Sequence, residues 1–264
     1  MTDAHAPLSV RLMARKLRLQ YKGASRWIFS ALWLATCCPG ILAGTFSVTV
    51  KVVDGENKPV SKAEVALMWN AKGGMSPSGD RGSVTDESGK APLQVDDWNE
   101  KRPVLVLSAD RKLGGVVGVS KADDGKEVTA TLGPTVRVKG NLTCSELNSK
   151  PKWANTMMAA DGFRANVAQH MSESAEFEFI LPAGKYALWS YGTDVQDIKQ
   201  TITLAADRPE FDVGTLDIKA SPIAKLKGKP APGLEITAAR GVKPGVKLAD
   251  YKGKWVYLEF WGFW

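Results

Sequence analysis

Histidine and cysteine are scarce in this chain. Its 264 residues include two histidines, His5 and His170, and three cysteines, two of which, Cys37 and Cys38, lie within the first 44 residues. Cys144 is then the only later thiol, and one thiol can neither close an internal disulfide nor run a dithiol cycle. We expect it to be buried and inert, since free cysteine is among the most buried residue types. So few ligands predict no metal site and no cofactor.

Acidic residues are almost missing from the first 44 positions. The chain has a formal net charge of +7, and residues 1–44 contribute +5 of it because Asp3 is their only acid, which leaves +2 for 45–264. Basic residues beside an apolar run are typical of targeting segments. The charge therefore does not form a phosphate-binding surface, and we expect no nucleic-acid partner.

An uncharged run follows these basic residues. It covers the twelve residues 27–38 and is followed by the small residues Ala43 and Gly44. This layout predicts a secretory signal peptide over 1–44. A membrane span needs about 20 apolar residues; counted over 27–43 the run reaches seventeen, so an uncleaved membrane anchor remains the alternative. Both predict export to the periplasm or cell envelope.

Short alternating strands dominate from residue 45 onward. Apolar residues alternate over 46–50 and again over 63–69, and a loop rich in Gly, Ser and Pro covers 72–82. The run 104–107 is apolar throughout, which suits a strand buried on both faces. With strands also expected at 116–119 and 128–132, turn signals recur about every 8–12 residues, as in an all-β sandwich.

Two segments of this stretch resemble a known family. The sequence V-K-V-V-D-G-E-N-K-P-V-S-K-A-E-V-A-L (50–67), followed by S-V-T-D-E-S-G-K-A (83–91), is similar to carboxypeptidase regulatory-like domains, which are Ig-like sandwiches. The resemblance covers 45–133. It implies a structural or adhesive domain that brings no catalytic residues.

A second β unit is predicted over 134–219. A strand from Thr135 is expected to end at Gly140, and the pattern F-E-F-I-L-P-A-G-K-Y-A-L predicts a hairpin between 177–181 and 185–191. Further strands are expected at 198–204 and 213–218. The hairpin pattern resembles Ig-like accessory domains of bacterial surface proteins and implies a scaffold rather than an active site.

The C-terminal segment has a different composition. Residues 220–232 hold three prolines and three lysines and are predicted to be a linker. Downstream, G-K-P-A-P-G-L-E and L-A-D-Y-K-G-K-W-V-Y-L-E-F-W-G-F-W resemble the first part of a thioredoxin-like redoxin domain over 228–264, of the AhpC/TSA or membrane-linked thiol–disulfide oxidoreductase type. The run 255–260 would be its first central strand. The predicted fold class of the whole chain is therefore mainly β, with two Ig-like antiparallel β-sandwich domains followed by the incomplete N-terminal part of a thioredoxin-like α/β domain.

The resemblance also implies where redox chemistry would lie. In that family a Cys-x-x-Cys pair follows the tryptophan-rich turn, so Trp261, Gly262, Phe263 and Trp264 would flank the active site. A thiolate at a helix N-terminus has a lowered pKa and attacks disulfides. Neither cysteine is present, so we expect no catalytic residue in this chain.

Two functional hypotheses remain, from different classes. The first is a fragment of an exported, antioxidant-type oxidoreductase that would act on a redox partner protein; this chain itself would be inactive. The second is an exported, non-catalytic β-sandwich module with a binding or structural role. A metal or hydrolytic enzyme is disfavoured for want of ligands.

The tryptophans offer a further pattern. Nine are present, which suggests carbohydrate stacking, but five lie mostly in strand-like runs, where core packing is the stronger interpretation: Trp69, Trp98, Trp153, Trp189 and Trp255.

Overall fold

A computed structural model describes residues 44–79, 82–98, 100–230, 232–233, 241 and 245–257. The chain divides into two compact units, of which one covers 37–227 and the other contains 228–264. The predicted leader, except Gly44, and the predicted active-site flank at 261–264 lie outside the described residues. None of the helices in the described ranges has the length and apolar character that crossing a bilayer requires.

Short strands form most of the unit 37–227. The described strands are β1 Thr45–Val53, β2 Glu64–Ala66, β3 Trp69–Asn70, β4 Ser76–Pro77, β5 Gly82–Val84, β6 Lys90–Asp96, β7 Arg102–Leu107, β8 Leu113–Val119, β9 Glu127–Thr131, β10 Gly133–Thr143, β11 Ala154–Ala160, β12 Ala168–Ser172, β13 Glu176–Pro182, β14 Gly184–Gly192, β15 Ile198–Leu204 and β16 Glu210–Asp217. A short helix, α1 Pro222–Leu226, follows them.

The strands assemble into three sheets. The first sheet has the order β6-β1-β9, and the third has the order β15-β14-β11-β12-β3-β4. The second sheet has the order β13-β10-β8-β7-β2-β5, with β16 also paired to β10. The protein is therefore mainly β, as the sequence predicts.

Two hydrophobic cores are built on the sheets. The first core joins β1 and β6 of the first sheet to residues of the second sheet such as Val104 and Val106. The second core joins the second sheet, through Leu105 and Leu107 among others, to the third sheet. Strand β7 is buried at all six positions, which confirms the prediction of a strand covered on both faces. Because side chains alternate along a strand, β7 supplies both cores.

The pairing is mixed rather than purely antiparallel. Strand β9 runs parallel to β1, β16 parallel to β10, and β12 parallel to β3. The expectation of purely antiparallel sandwiches was therefore wrong in these three places. In addition, β10 begins at Gly133, at the predicted boundary between 45–133 and 134–219, and its first residues pair with β8. The sheets thus cross that boundary, whereas most of each core lies on one side of it.

Two segments that were each predicted to be one continuous element are divided between two sheets. Residues 63–69 form no single strand, because β2 pairs in the second sheet and β3 in the third. Likewise β13 pairs with β10 whereas β14 pairs with β11 and β15, so 177–191 is a corner between two sheets and not a hairpin. Alternation cannot reveal this, because a chain that crosses between sheets keeps burying alternate residues.

Gly140 continues a strand that was expected to end there. Strand β10 runs on to Thr143, with a register shift against β16 between Lys139 and Gly140. A Cβ at position 140 would lie 2.5 Å from the ring of Phe177. Position 140 is therefore a glycine because an aromatic ring approaches the backbone closely there. From the sequence alone, such a glycine cannot be distinguished from one that ends a strand.

The first part of the predicted linker is folded onto the β strands. Ser221 caps α1 by accepting a hydrogen bond from the backbone N–H of Ala224 at 3.1 Å. The Nζ of Lys225 lies 2.8 Å from Oε2 of Glu146, and that carboxylate also accepts from the N–H of Ala220 at 2.8 Å. These contacts hold the first part of the predicted linker in place, so it is folded rather than extended there.

The unit that contains 228–264 is described in fewer places. Its one described helical element is a 3-10 turn, Leu248–Tyr251, in which the carboxylate of Asp250 accepts from the N–H of Lys247 at 2.9 Å. Residues 255–257, at the start of the predicted strand 255–260, are not in a strand. The remainder of that predicted strand lies outside the described residues.

Candidate functional site

The predicted active-site flank cannot be placed. Trp261, Gly262, Phe263 and Trp264 lie outside the described residues, so their role remains a prediction. Just upstream, Trp255 is fully exposed and Tyr257 is 82% exposed.

Most of the five tryptophans that the sequence assigned to the cores are not buried in them. Of the five considered, Trp69 is fully buried and donates from Nε1 to the carbonyl of Leu105 at 3.0 Å. Trp98 is 56% exposed, Trp153 is 36% exposed, and Trp189 is partly buried. The core interpretation was therefore right for Trp69 and wrong for the others, Trp255 included.

Two of these tryptophans and a tyrosine form a cluster on the third sheet, which we call the aromatic face. On β14, Tyr186 and Leu188 point into the second core. Because side chains alternate along a strand, Trp189 and Tyr191 lie on the opposite side of the sheet. The rings of Trp189 and Tyr191 have centroids 5.5 Å apart, and Trp153 meets Tyr191 edge-on at 5.7 Å. Three aromatic rings thus lie in sequence on the outer side.

Strand β11 supplies the residues next to these rings. Asn155 pairs with Tyr191, and Met157 pairs with Trp189. The amide Nδ2 of Asn155 donates to the hydroxyl of Tyr191 at 3.2 Å. Asn155 is only 4% exposed, and its Oδ1 is buried without a hydrogen-bond partner. A buried polar atom without a partner is uncommon and calls for an explanation.

Uncharged polar side chains continue this surface across the sheet. Gln169 is paired with Met157 on one side and with Asn70 on the other. Its Nε2 donates to Oδ1 of Asn70 at 2.9 Å, and Nδ2 of Asn70 donates to the hydroxyl of Ser78 at 3.2 Å. The cross-strand row that starts at Trp189 and continues through Met157 therefore reaches two side-chain amides, those of Gln169 and Asn70.

Two charged residues border the rings at the β15 edge. The ammonium of Lys199 lies 4.8 Å from the centroid of Trp189, a cation–π contact. Nε1 of Trp189 donates to Oδ2 of Asp197 at 3.2 Å. The opposite charges are both engaged with the same tryptophan, so this border adds little net charge to the aromatic face.

A second candidate is a polar groove beside β10, β12 and β13. It encloses about 510 Å³, and its lining includes Lys139, His170 and Glu178. Nδ1 of His170 accepts the backbone N–H of Glu178 at 2.8 Å, so the neutral ring carries its proton on Nε2. Burial lowers the pKa of His170, although the contact with Glu178 opposes this shift. His170 thus satisfies the N–H of an edge strand.

Carboxylates elsewhere stabilise turns. A backbone hydrogen bond from Lys90 is the main cause of the lowered pKa of Asp86, and one from Ser120 lowers the pKa of Asp123. The hydroxyl of Ser145 lowers the pKa of Asp217. Each stays ionised at neutral pH, which suits a turn cap and not a general acid. Across the described ranges, no cluster of three or more His, Cys, Asp or Glu could hold a metal ion.

Sequence patterns alone could not identify the aromatic face. Residues 185–191 alternate, but both phases contain aromatic side chains, so the pattern does not say which phase faces the core. Asn155 and Met157 lie in a strand that was not predicted. A usable signal was the tryptophan and tyrosine placed two apart at Trp189 and Tyr191, opposite the phase of Leu188.

Comparisons with known proteins give no family assignment. No family model matches the chain, and no curated protein matches it. Among solved structures, the Bacillus anthracis TIE protein is 12% identical over 67% of this chain, with a TM-score of 0.30; the match spans only 34% of that protein. The minor pilin GBS52 of Streptococcus agalactiae is 12% identical over 71% of this chain and 99% of its own, with a TM-score of 0.30.

A third similar structure is BcpA, the major pilin subunit of Bacillus cereus. It is 7% identical over 67% of this chain and 100% of its own, with a TM-score of 0.29. TM-scores this low do not establish a shared fold. The β-sandwich architecture therefore rests on the sheets and cores described above.

Proposed function

We propose that the β unit of this chain is a non-catalytic module with a binding role, carried on an exported protein. The observation that carries the proposal is the aromatic face: tryptophan and tyrosine side chains lie on the outside of a sheet whose inner side already fills the second core. Exposed aromatic residues grouped on a rigid sheet are typical of binding surfaces.

The other polar groups support a non-catalytic role. Asp86, Asp123 and Asp217 are ionised and engaged in turns, and Cys144 is fully buried, as the sequence predicts. A buried thiol is poorly placed to attack a disulfide, because reactive cysteines need partial exposure. Export is supported by the basic and apolar residues that precede the β unit.

An oxidoreductase role is the competing proposal. It depends on the resemblance of 228–264 to redoxin domains, and its central residues, 258–264, lie outside the described residues. The described neighbours Trp255 and Tyr257 are exposed and not part of a sheet. The binding module is therefore the better supported function.

Two assays on the purified chain test the proposal. In insulin reduction with dithiothreitol, we expect a rate no higher than that of dithiothreitol alone; catalytic turnover would refute the non-catalytic role. In limited proteolysis, we expect 45–219 to persist while the segment around Trp255 is cleaved, because Trp255 and Tyr257 are exposed and lie outside any strand. Equal cleavage of both parts would show that the β unit is not a stable module.

A further inference from the structure

We propose that the aromatic face binds a neutral saccharide. This inference rests on the proposed binding function and names its ligand class. It starts from the three rings of Trp153, Tyr191 and Trp189, whose successive centroids lie 5.7 Å and 5.5 Å apart. Trp153 is 36% exposed, and the neighbouring Met171 is 42% exposed. The surface is thus open enough for a ligand to contact.

The chemistry of the rings favours a saccharide. The face of an aromatic ring is electrostatically negative and attracts positively polarised edges. A pyranose ring presents C–H groups on its flat sides and hydroxyls around its rim. It can therefore stack its C–H side on Trp153 or Tyr191 while its hydroxyls reach the polar groups beside them.

The neighbouring side chains match those hydroxyls. A hydroxyl is both donor and acceptor, and a side-chain amide offers both complements. Asn155, Gln169 and Asn70 supply such amides along one side of the sheet. The buried Oδ1 of Asn155 has no donor, and a ligand hydroxyl that enters beside Tyr191 is a donor of the type it lacks.

Charge selects a neutral ligand over an ionic one. The two charged residues at the border, Lys199 and Asp197, have opposite signs and both contact Trp189. Their opposite charges largely cancel at this ring, so the pair itself adds no net attraction for an acidic polymer, a phosphate or a cationic peptide. An uncharged ligand rich in hydroxyls fits this surface best.

The test is affinity electrophoresis of the purified full chain. The native gels contain neutral polysaccharides (α-1,4-, β-1,3- and β-1,4-linked glucans, a galactan and a mannan), with polygalacturonate and heparin as charged probes. We expect at least one neutral polymer to retard the chain. Trp153→Ala and Trp189→Ala should each weaken binding about tenfold or more, as for aromatic anchors in other binding surfaces, and Trp153→Phe should weaken it less.

The matched control is Trp98→Ala. Trp98 is also exposed, and its partner is the guanidinium of Arg102, 3.7 Å from its ring, so its loss tests a tryptophan outside the aromatic face. It should leave retardation unchanged. Guanidinium unfolding midpoints of all variants separate loss of binding from loss of folding.

Several results would overturn the proposal. These are no retardation by any neutral polymer, retardation by the charged polymers alone, and retardation that Trp153→Ala and Trp189→Ala leave intact. Self-association in sedimentation that Trp153→Ala abolishes, without saccharide binding, would assign the aromatic face to a protein partner. Because the insulin and proteolysis assays test the non-catalytic module separately, the saccharide can fail while the module stands.

Discussion

The outer faces of the first and third sheets occupy equivalent positions but have opposite chemistry. On the first sheet, Glu127 lies 2.7 Å from the ammonium of Lys90 and 3.9 Å from that of Lys51. On the third sheet, the corresponding surface has Trp189 and Tyr191. A solvated sheet face needs only polar residues. This difference is the basis of the binding role proposed for the third sheet.

The largest expected effect concerns the strand that joins these two sheets through the cores. Leu105 is fully buried and belongs to the second core, while its neighbour Val106 belongs to the first. We expect Leu105→Ala to lower the free energy of unfolding by about 2–5 kcal/mol. Tryptophan fluorescence and far-UV circular dichroism should still report one urea transition, because β7 serves both cores. Two separated transitions would mean that the halves around 133/134 unfold independently.

Neighbouring residues of β14 distinguish the inner from the outer face. Leu188 is fully buried in the second core, so Leu188→Ala should cost about 2–5 kcal/mol of stability. Trp189→Ala removes an aromatic pair and a cation–π contact on the outside and should cost about 1 kcal/mol. Chemical denaturation of both variants measures the difference. If both lose the same stability, the aromatic face belongs to the core.

These neighbouring residues also show what sequence can predict. The burial of β7 followed from an uninterrupted apolar run, because such a run leaves neither face for water. The position of Trp189 on the outer side of the sheet did not follow, because tryptophan is apolar enough for a core and polar enough at Nε1 for a surface. Likewise, alternation located strand residues within 63–69 and 177–191, but the sheet to which each strand belongs depends on long-range pairing that local alternation does not encode.

The third sheet should respond to pH in a window of its own. Burial lowers the pKa of His170 on β12 below the ordinary value of 6.5. At a pH between the lowered pKa of the folded chain and 6.5, the unfolded chain binds a proton that the folded chain does not. The free energy of unfolding is therefore greatest above pH 6.5 and falls as the pH drops toward the lowered pKa. Thermal melting from pH 8 to pH 5 measures this loss.

The control for this window is His170→Asn. Asparagine does not titrate, and its Oδ1 can still accept the N–H of Glu178 that His170 now accepts at 2.8 Å. The variant should therefore lose the pH dependence between pH 5 and pH 6.5 while it remains folded. An unchanged melting profile in the variant would assign the dependence to another group.

The smallest effect is expected at the ion pairs of the first sheet. A hydrogen bond from Lys90 lowers the pKa of Glu127 below 4.5, so its contribution is present above pH 4.5 and is lost as the pH falls through the lowered value. Glu127→Gln should reduce the melting temperature slightly at low salt. The difference should vanish in 1 M salt, where the Debye length is about 3 Å. A large effect that persists in salt would contradict a merely solvated face.

The central claim is that the aromatic face, and no other tryptophan-bearing surface of the described residues, contacts a neutral saccharide. The direct measurement is ¹⁹F NMR of the chain labelled with 5-fluorotryptophan at its nine tryptophans, with signals assigned by single Trp→Phe substitutions, during titration with the most retarding neutral polysaccharide. We predict that the signals of Trp153 and Trp189 shift while those of Trp69 and Trp98 stay fixed. Shifts at Trp98 alone, or no shift at Trp153 and Trp189, would contradict it.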